Sequence, residues 1–381
     1  MQVQAVLFTA TLVTSLTTID ISPTQADITI AVVGPMSVTT MTGQYAAFGE
    51  ALTRGAAMAV KDVNAQGGVN GQEIALQIAD DACDPEQAVA VAAQLVAQGV
   101  VFIDGHYCSG SSIPASRVYH DGGVLMITPS STNPRLTEQG FANVFRVNGR
   151  DDLQGAAAAD YVVDNGLGSR VAVVHAQTTF GKSIADEFRK QLNKRSVREV
   201  IYEAVSQGDQ DFDALITRMR EADVGLVYFG GYHIEAGLLA RQIREHGLDA
   251  RMMVTSAVIT REYWDLAGPG GEGTLMTFAP DPRELPSAAE VVRRFEAEGY
   301  SPEGHTLYAY AAVQVFAEAA RKAGSTGLDA LIKALHEDTY ETVLGPLTFD
   351  SKGDVVGYTY CIYEWRAGIY KKTFCPRPHA G

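Results

Sequence analysis

The stretch 100–134 reads VVFIDGHYCSGSSIPASRVYHDGGVLMITPSSTNP. Its first four residues, Val100 to Ile103, form an apolar run that stops at Gly105. Small and hydroxyl residues follow (Cys108, Ser109, Gly110, Ser111, Ser112), then a helix-like segment from about Ile113 to His120. A second apolar run, Val124 to Ile127, ends in another hydroxyl-rich loop, Thr128 to Thr132. Short continuous apolar runs separated by a helix read as parallel strands buried on both faces. Two such strands would end side by side, each delivering hydroxyls and free backbone N–H groups. In open α/β sheets ligands bind outside the carboxyl ends of the strands, and a helix N-terminus placed there favours an anion. The same residues also fit two ordinary strand-to-helix loops with serine caps, and composition alone does not choose between these readings.

The pattern extends in both directions. Upstream, Ile28 to Val33 and Glu73 to Ile78 read as strands, and 49–64 and 85–97 as helices, with Asp84 as cap and Pro85 at the first helical position. Downstream, helices at 152–165, 180–194, 212–220 and 235–246 alternate with strands at 170–175, 197–204, 224–229 and 252–255. This predicts a second lobe with the architecture of the first. Beyond Thr274 come one strand, helices at 288–298, 306–322 and 328–335, and a strand-rich tail with turns at Ser351–Asp354 and Arg366–Gly368. The fold class is α/β: two similar doubly wound parallel-sheet lobes. No Pro-, Ser- or Gly-rich linker separates them, which suits several short crossovers.

Composition narrows the function. A chain of 381 residues is long for one domain. An apolar fraction of 46% against 20% charged supplies sizeable cores. A net charge of −15 argues against nucleic acid or an anionic membrane as partner, and no apolar run approaches the roughly 20 residues that span a bilayer. Residues 1–26 carry part of an export signal: an apolar, Thr-rich run from Ala5 to Leu16 and small residues before Asp27, without a basic residue ahead of the run. Cysteines at 83, 108, 361 and 375 suggest disulfides in an exported chain. Cys83, His106, Cys108 and His120 lack the spacing of metal ligands. Motifs for nucleotide binding, a hydrolase elbow or a zinc protease are missing, and no base can be assigned to Cys108–Ser109, so neither enzyme activity nor a cofactor is expected.

Longer motifs carry a resemblance. GHYCSGSSIPAS (105–116), LMITPSST (125–132), Asp80–Pro85 with QAVAV (87–91), YFGGYH (228–233) and GPLTFD (345–350) resemble the periplasmic leucine/isoleucine/valine-binding proteins. These are solute receptors of ATP-binding-cassette (ABC) importers with the type I periplasmic binding fold. The resemblance covers about Asp27 to Trp365. It implies one lobe of residues 27–150 plus 280–358, another of 151–279 plus 359–381, and hinge closure around one amino acid. It also implies a periplasmic location, membrane permease partners and a monomer. A ligand sensor on the same fold is less expected, since no transmembrane or signalling segment follows Gly381.

Carried over position by position, the resemblance implies that Ser109, Ser130 and Thr132 hold a ligand carboxylate, partly through backbone groups, and that Tyr232 lines the site. The loop from Met36 to Tyr45 would line the side-chain end. It implies a Cys83–Cys108 disulfide as well, while Cys361 and Cys375 flank the Arg366–Gly368 turn as cross-strand partners would. Two positions depart from the family: Ser256 stands where a glutamate pairs the ligand ammonium, and Phe180 where a tyrosine stands. The ligand is then either an aliphatic amino acid whose ammonium meets another acid, such as Glu235, or one with its amine elsewhere or none, such as a γ-amino, aromatic or keto acid.

Overall fold

The computed structural model describes residues 28–36 and 45–376. The expected leader at 1–26, and most of the loop from Met36 to Tyr45, lie outside the described residues. The first lobe starts with β1 (Ile28–Gly34), α1 (Ala46–Ala65), β2 (Ile74–Asp80), α2 (Pro85–Ala97), β3 (Phe102–Gly105), α3 (Ser109–Asp121), β4 (Leu125–Thr128), α4 (Arg135–Glu138) and β5 (Val144–Arg146). Its five strands are parallel in the order β2-β1-β3-β4-β5.

The second lobe follows with α5 (Asp151–Asp164), β6 (Val171–Ala176), α6 (Thr179–Lys194), β7 (Ile201–Val205), α7 (Asp213–Glu221), β8 (Leu226–Gly230), α8 (His233–Glu245), β9 (Arg251–Val254), α9 (Arg261–Ala267) and β10 (Leu275–Phe278). Its parallel part runs β7-β6-β8-β9-β10, the same winding as the first sheet. The chain then returns with α10 (Ala289–Ala297), α11 (Thr306–Ala323) and α12 (Leu328–Glu337), and a small hairpin of β11 (Tyr340–Thr342) and β12 (Gly345–Leu347). Helix α11 packs on α1 and β3, where Phe316 stacks on Phe102 at 4.5 Å. Finally β13 (Cys361–Arg366) and β14 (Ile369–Phe374) extend the second sheet as an antiparallel hairpin. The chain thus passes between the two sheets three times.

Local chemistry explains most boundaries. The Asp84 carboxylate accepts from the amides of Glu86 and Gln87 at 2.9 and 2.8 Å, satisfying two donors that a helix start leaves free. Helix α3 begins four residues before the expected Ile113. The amides of Ser111 and Ser112 bond to the Cys108 carbonyl, so the serine run forms the first turn of a helix and not a loop, and Pro114 sits inside that helix. Helices α4 and α9 were not legible in the sequence; at four and seven residues they are too short to show a period.

Both cysteine pairs are bonded, Cys83–Cys108 and Cys361–Cys375. The second closes the β13–β14 hairpin beside the Ile362–Phe374 pair.

Candidate functional site

The carboxyl ends of the two parallel sheets meet across a cleft. Among the described residues, one small cavity there is lined by Tyr107, Ser109, Ser130, Thr132, Phe180, Tyr232, Ser256, Ala257 and His305. All six side chains singled out from sequence (Ser109, Ser130, Thr132, Phe180, Tyr232, Ser256) are in that set. They come from separate elements: the starts of α3, α6 and α8, the loop after β4, and the turn after β9. Tyr107, Ala257 and His305 were missed. Tyr107 and Ala257 adjoin motif residues and could have been found by extension, whereas His305 comes from a distant crossover with no local signal. The cavity holds about 20 Å³, room for about one water molecule, so a ligand of amino-acid size needs the walls to part. A second cavity of about 230 Å³ shares Phe180 and Tyr232 with it and continues past Cys108, Gly110, Thr179 and Gln207.

The first-lobe wall is held by hydrogen bonds aimed at two carbonyls. The His106 carbonyl accepts from the hydroxyls of Thr128 (2.9 Å) and Ser131 (3.1 Å), and the Tyr107 carbonyl from Ser130 (2.8 Å). The Ser130 hydroxyl proton is therefore engaged inside the wall, which leaves backbone groups as its means of contact. Ser109 Oγ accepts from the Asn133 amide at 3.3 Å, keeping its own proton free to donate. No side chain caps α3, so its first amides lack an intrahelical partner.

Two deeper networks fix these loops. His106 Nδ1 lies 2.6 Å from Asp81 Oδ2 and its Nε2 2.9 Å from the Tyr119 hydroxyl, all three residues fully buried. Asp81 also accepts from the Cys83 amide, so this network and the Cys83–Cys108 bond join the same two loops. On the other side, the buried Arg146 guanidinium donates to the carbonyls of Ser131 (2.7 Å) and Asn133 (3.1 Å) and to Asp354 Oδ1 (2.6 Å). Gly105 permits the turn that starts all this: its φ is +152°, and a Cβ there would stand 2.4 Å from the Val33 carbonyl oxygen.

The second-lobe wall is aromatic. Tyr232 caps the start of α8 through its backbone position and packs against Phe180 at 5.2 Å. Contacts cross the cleft: the Tyr45 ring lies 5.0 Å from Tyr232, its hydroxyl accepts from the Gln207 amide at 2.7 Å, and the Asn133 amide donates to the Thr179 carbonyl.

Charge in this region is sparse. Burial pushes His305 down to about 4, so it is neutral near pH 7. Asp151, behind Thr132, is pushed up to about 6 by burial, with the hydroxyls of Ser183 and Thr132 opposing that rise. Glu235 does not line the small cavity; one of its oxygens accepts from the Gly208 amide at 2.8 Å, and burial raises its carboxyl. Among the described residues no group of three or more His, Cys, Asp or Glu side chains is arranged to hold a metal ion.

Known proteins share this arrangement. The periplasmic binding protein family matches residues 27–369. The Leu/Ile/Val-binding protein homolog 1 of Brucella melitensis is 46% identical over 329 residues, covering 86% of this chain and 89% of that one. An amino acid binding protein of Pseudomonas aeruginosa is 47% identical over 343 residues, covering 89% and 90%. The crystal structure of a branched-chain amino acid transporter substrate binding protein from Streptococcus pneumoniae, in complex with isoleucine, superposes with a TM-score of 0.82 at 25% identity, covering 93% of this chain and 100% of that one. Two like-wound lobes, a hydroxyl-lined cleft between them and relatives across nearly the whole chain give one answer: the chain belongs to the periplasmic binding protein family.

Proposed function

We propose that this protein is the extracytoplasmic receptor of an ABC importer, capturing an amino acid of branched-chain type or a related small carboxylate between two closing lobes. The observation that carries this reading is the cavity itself. It gathers six residues from both sheets at the carboxyl ends of their strands, where helix starts favour an anion. The relatives support it: two are named as Leu/Ile/Val-binding and amino acid binding proteins, and one as a branched-chain amino acid transporter substrate binding protein. On this reading the lobes are 27–150 plus 280–358 and 151–279 plus 359–381, and the short segments that join them suit a hinge. Export of the chain, membrane permease partners, a monomeric state and the lack of catalysis belong to the same reading.

The carboxylate would be held by the Ser109 hydroxyl, the first amides of α3 and the Thr132 region. Hydrogen bonds to a charged group contribute about 1.5–3 kcal/mol each. Ser109→Ala and Thr132→Ala should each weaken calorimetric binding of the ligand that co-purifies under native conditions by about tenfold or more. Undiminished binding in both variants would place the site elsewhere, and turnover of the ligand by pure protein would overturn the receptor reading.

A further inference from the structure

The small cavity brings together nine residues and no formal charge. Four are hydroxyl residues (Ser109, Ser130, Thr132, Ser256), and three are rings of tyrosine or phenylalanine. His305, the one titratable base among them, is kept neutral by burial. Around this lining, helices α3, α6 and α8 and the short helical turn Ser256–Val258 all begin. Each start presents the positive end of its dipole. The field at the cavity is therefore one that welcomes an anion, and the lining offers a cation no opposite charge.

The nearby acids are committed or turned away. Asp81 is bound to His106 and to the Cys83 amide. Asp151 is buried at the start of α5, behind Thr132 and outside the cavity lining. Glu262 is exposed on α9, and Glu235 is tied to Gly208 outside the cavity lining. An ammonium buried without an opposite charge is costly.

We infer that the site selects a small monocarboxylate whose remaining part is uncharged, over a zwitterion bearing an ammonium on the carbon next to the carboxylate. This rests on the proposed reading of the cleft as the ligand site. The carboxylate lies against Ser109 and the α3 start, and an apolar chain or ring lies between Tyr107, Phe180 and Tyr232. Ser256 faces the carbon that would carry the amine, and its hydroxyl suits a hydrogen or a keto oxygen there, since a hydroxyl donates as well as accepts.

Three compounds with one carbon skeleton test this: L-leucine, isocaproate (no amine) and α-ketoisocaproate (a keto oxygen in its place). Calorimetry on ligand-stripped wild-type protein should give at least tenfold tighter binding for one or both amine-free acids than for leucine. Ser256→Glu, checked for its fold by circular dichroism, should shift that ratio at least tenfold towards leucine. Leucine binding as tight as or tighter than both acids overturns the inference and leaves the receptor reading standing. If none of the three binds, and native mass spectrometry finds no small carboxylate on the protein, both fall. The wild-type comparison decides even where the variant misfolds.

Discussion

In the first lobe, the loops after β3 and β4 bring serine and threonine to the cleft; in the second, the starts of α6 and α8 bring Phe180 and Tyr232. The strand order behind both walls is the same. The difference lies in what holds each wall in shape. A hydroxyl-lined wall must keep its own polar groups satisfied while leaving donors for a ligand. Here that takes the Asp81–His106–Tyr119 network, the Cys83–Cys108 bond and the Arg146–Asp354 pair. The aromatic wall needs only packing and close approach of backbone: Gly181 and Gly230 meet so tightly that a Cβ on Gly230 would stand 2.4 Å from the Gly181 carbonyl oxygen. One topology thus supports a cross-linked polar wall and a packed apolar one, and substitutions should affect the two differently.

The sharpest break is at Arg146. Arg146→Met takes from buried Asp354 one of its two arginines, Arg150 remaining, and leaves the Ser131 carbonyl unmet. A lost charge-assisted bond at about 1.5–3 kcal/mol and an unmet buried carbonyl at about 1–3 kcal/mol make a loss of about 3–5 kcal/mol, which urea unfolding should show together with weakened ligand binding. A loss under about 1 kcal/mol would mean that the polar wall does not depend on this clamp.

The two disulfides offer a matched pair. Removing Cys83–Cys108 by Cys→Ala at both ends should lower stability by about 2–4 kcal/mol, and removing Cys361–Cys375 by a similar amount, since their loops of 25 and 14 residues differ little in closure entropy. Only the first should also weaken ligand binding, because only it braces the Ser109 loop. Equal binding losses in both would erase the distinction between the walls. Thiol titration of the denatured, unreduced wild type should find no free thiol.

His305 supplies a pH test of the first-lobe side. Its ordinary value of 6.5 holds in the unfolded chain, while in the fold burial lowers it to about 4. Between those values the unfolded chain binds the extra proton, so stability from this group is complete above pH 6.5 and is lost as pH falls towards 4. The full loss is about 3 kcal/mol. Asp151 works in the opposite sense: its folded value of about 6 exceeds the ordinary 3.8, so its contribution grows as pH falls through that window. The two oppose each other between pH 6 and 4, and as pH falls from 6.5 to 4 His305→Gln should lose less stability than the wild type, by up to about 3 kcal/mol. Parallel curves for both proteins would show that His305 titrates normally.

The smallest effect belongs to the contact across the walls. Tyr45→Phe removes the hydroxyl that accepts from Gln207 and keeps the ring against Tyr232. A net contribution of about 0.5–1.5 kcal/mol should appear as a few-fold loss of ligand affinity, expressed in faster dissociation, with thermal stability unchanged. An unaltered dissociation rate would mean that closure does not use this bond.

Sequence alone determined the repeated α/β winding, because buried parallel strands and amphipathic helices leave periodic patterns in short windows. Its motifs, by their resemblance to a known family, also singled out Ser109, Ser130, Thr132, Phe180, Tyr232 and Ser256 and the Cys83–Cys108 pair, while the turn between Cys361 and Cys375 paired the other two. What it could not reach depends on contacts between distant segments. His305 joins the cavity from a crossover almost 200 residues after Tyr107. Arg146 and Asp354 each look like ordinary charged residues until β5 and the tail are brought together at 2.6 Å. The serine run reads as a loop because serine favours caps and turns, and it becomes helix only once Cys108 is pinned by Cys83 and its carbonyl receives two amides. The electrostatic character of the cleft is likewise a tertiary property: 45 acids and 30 basic residues are plain in the chain, but only folding decides that none of their charges lines the cavity.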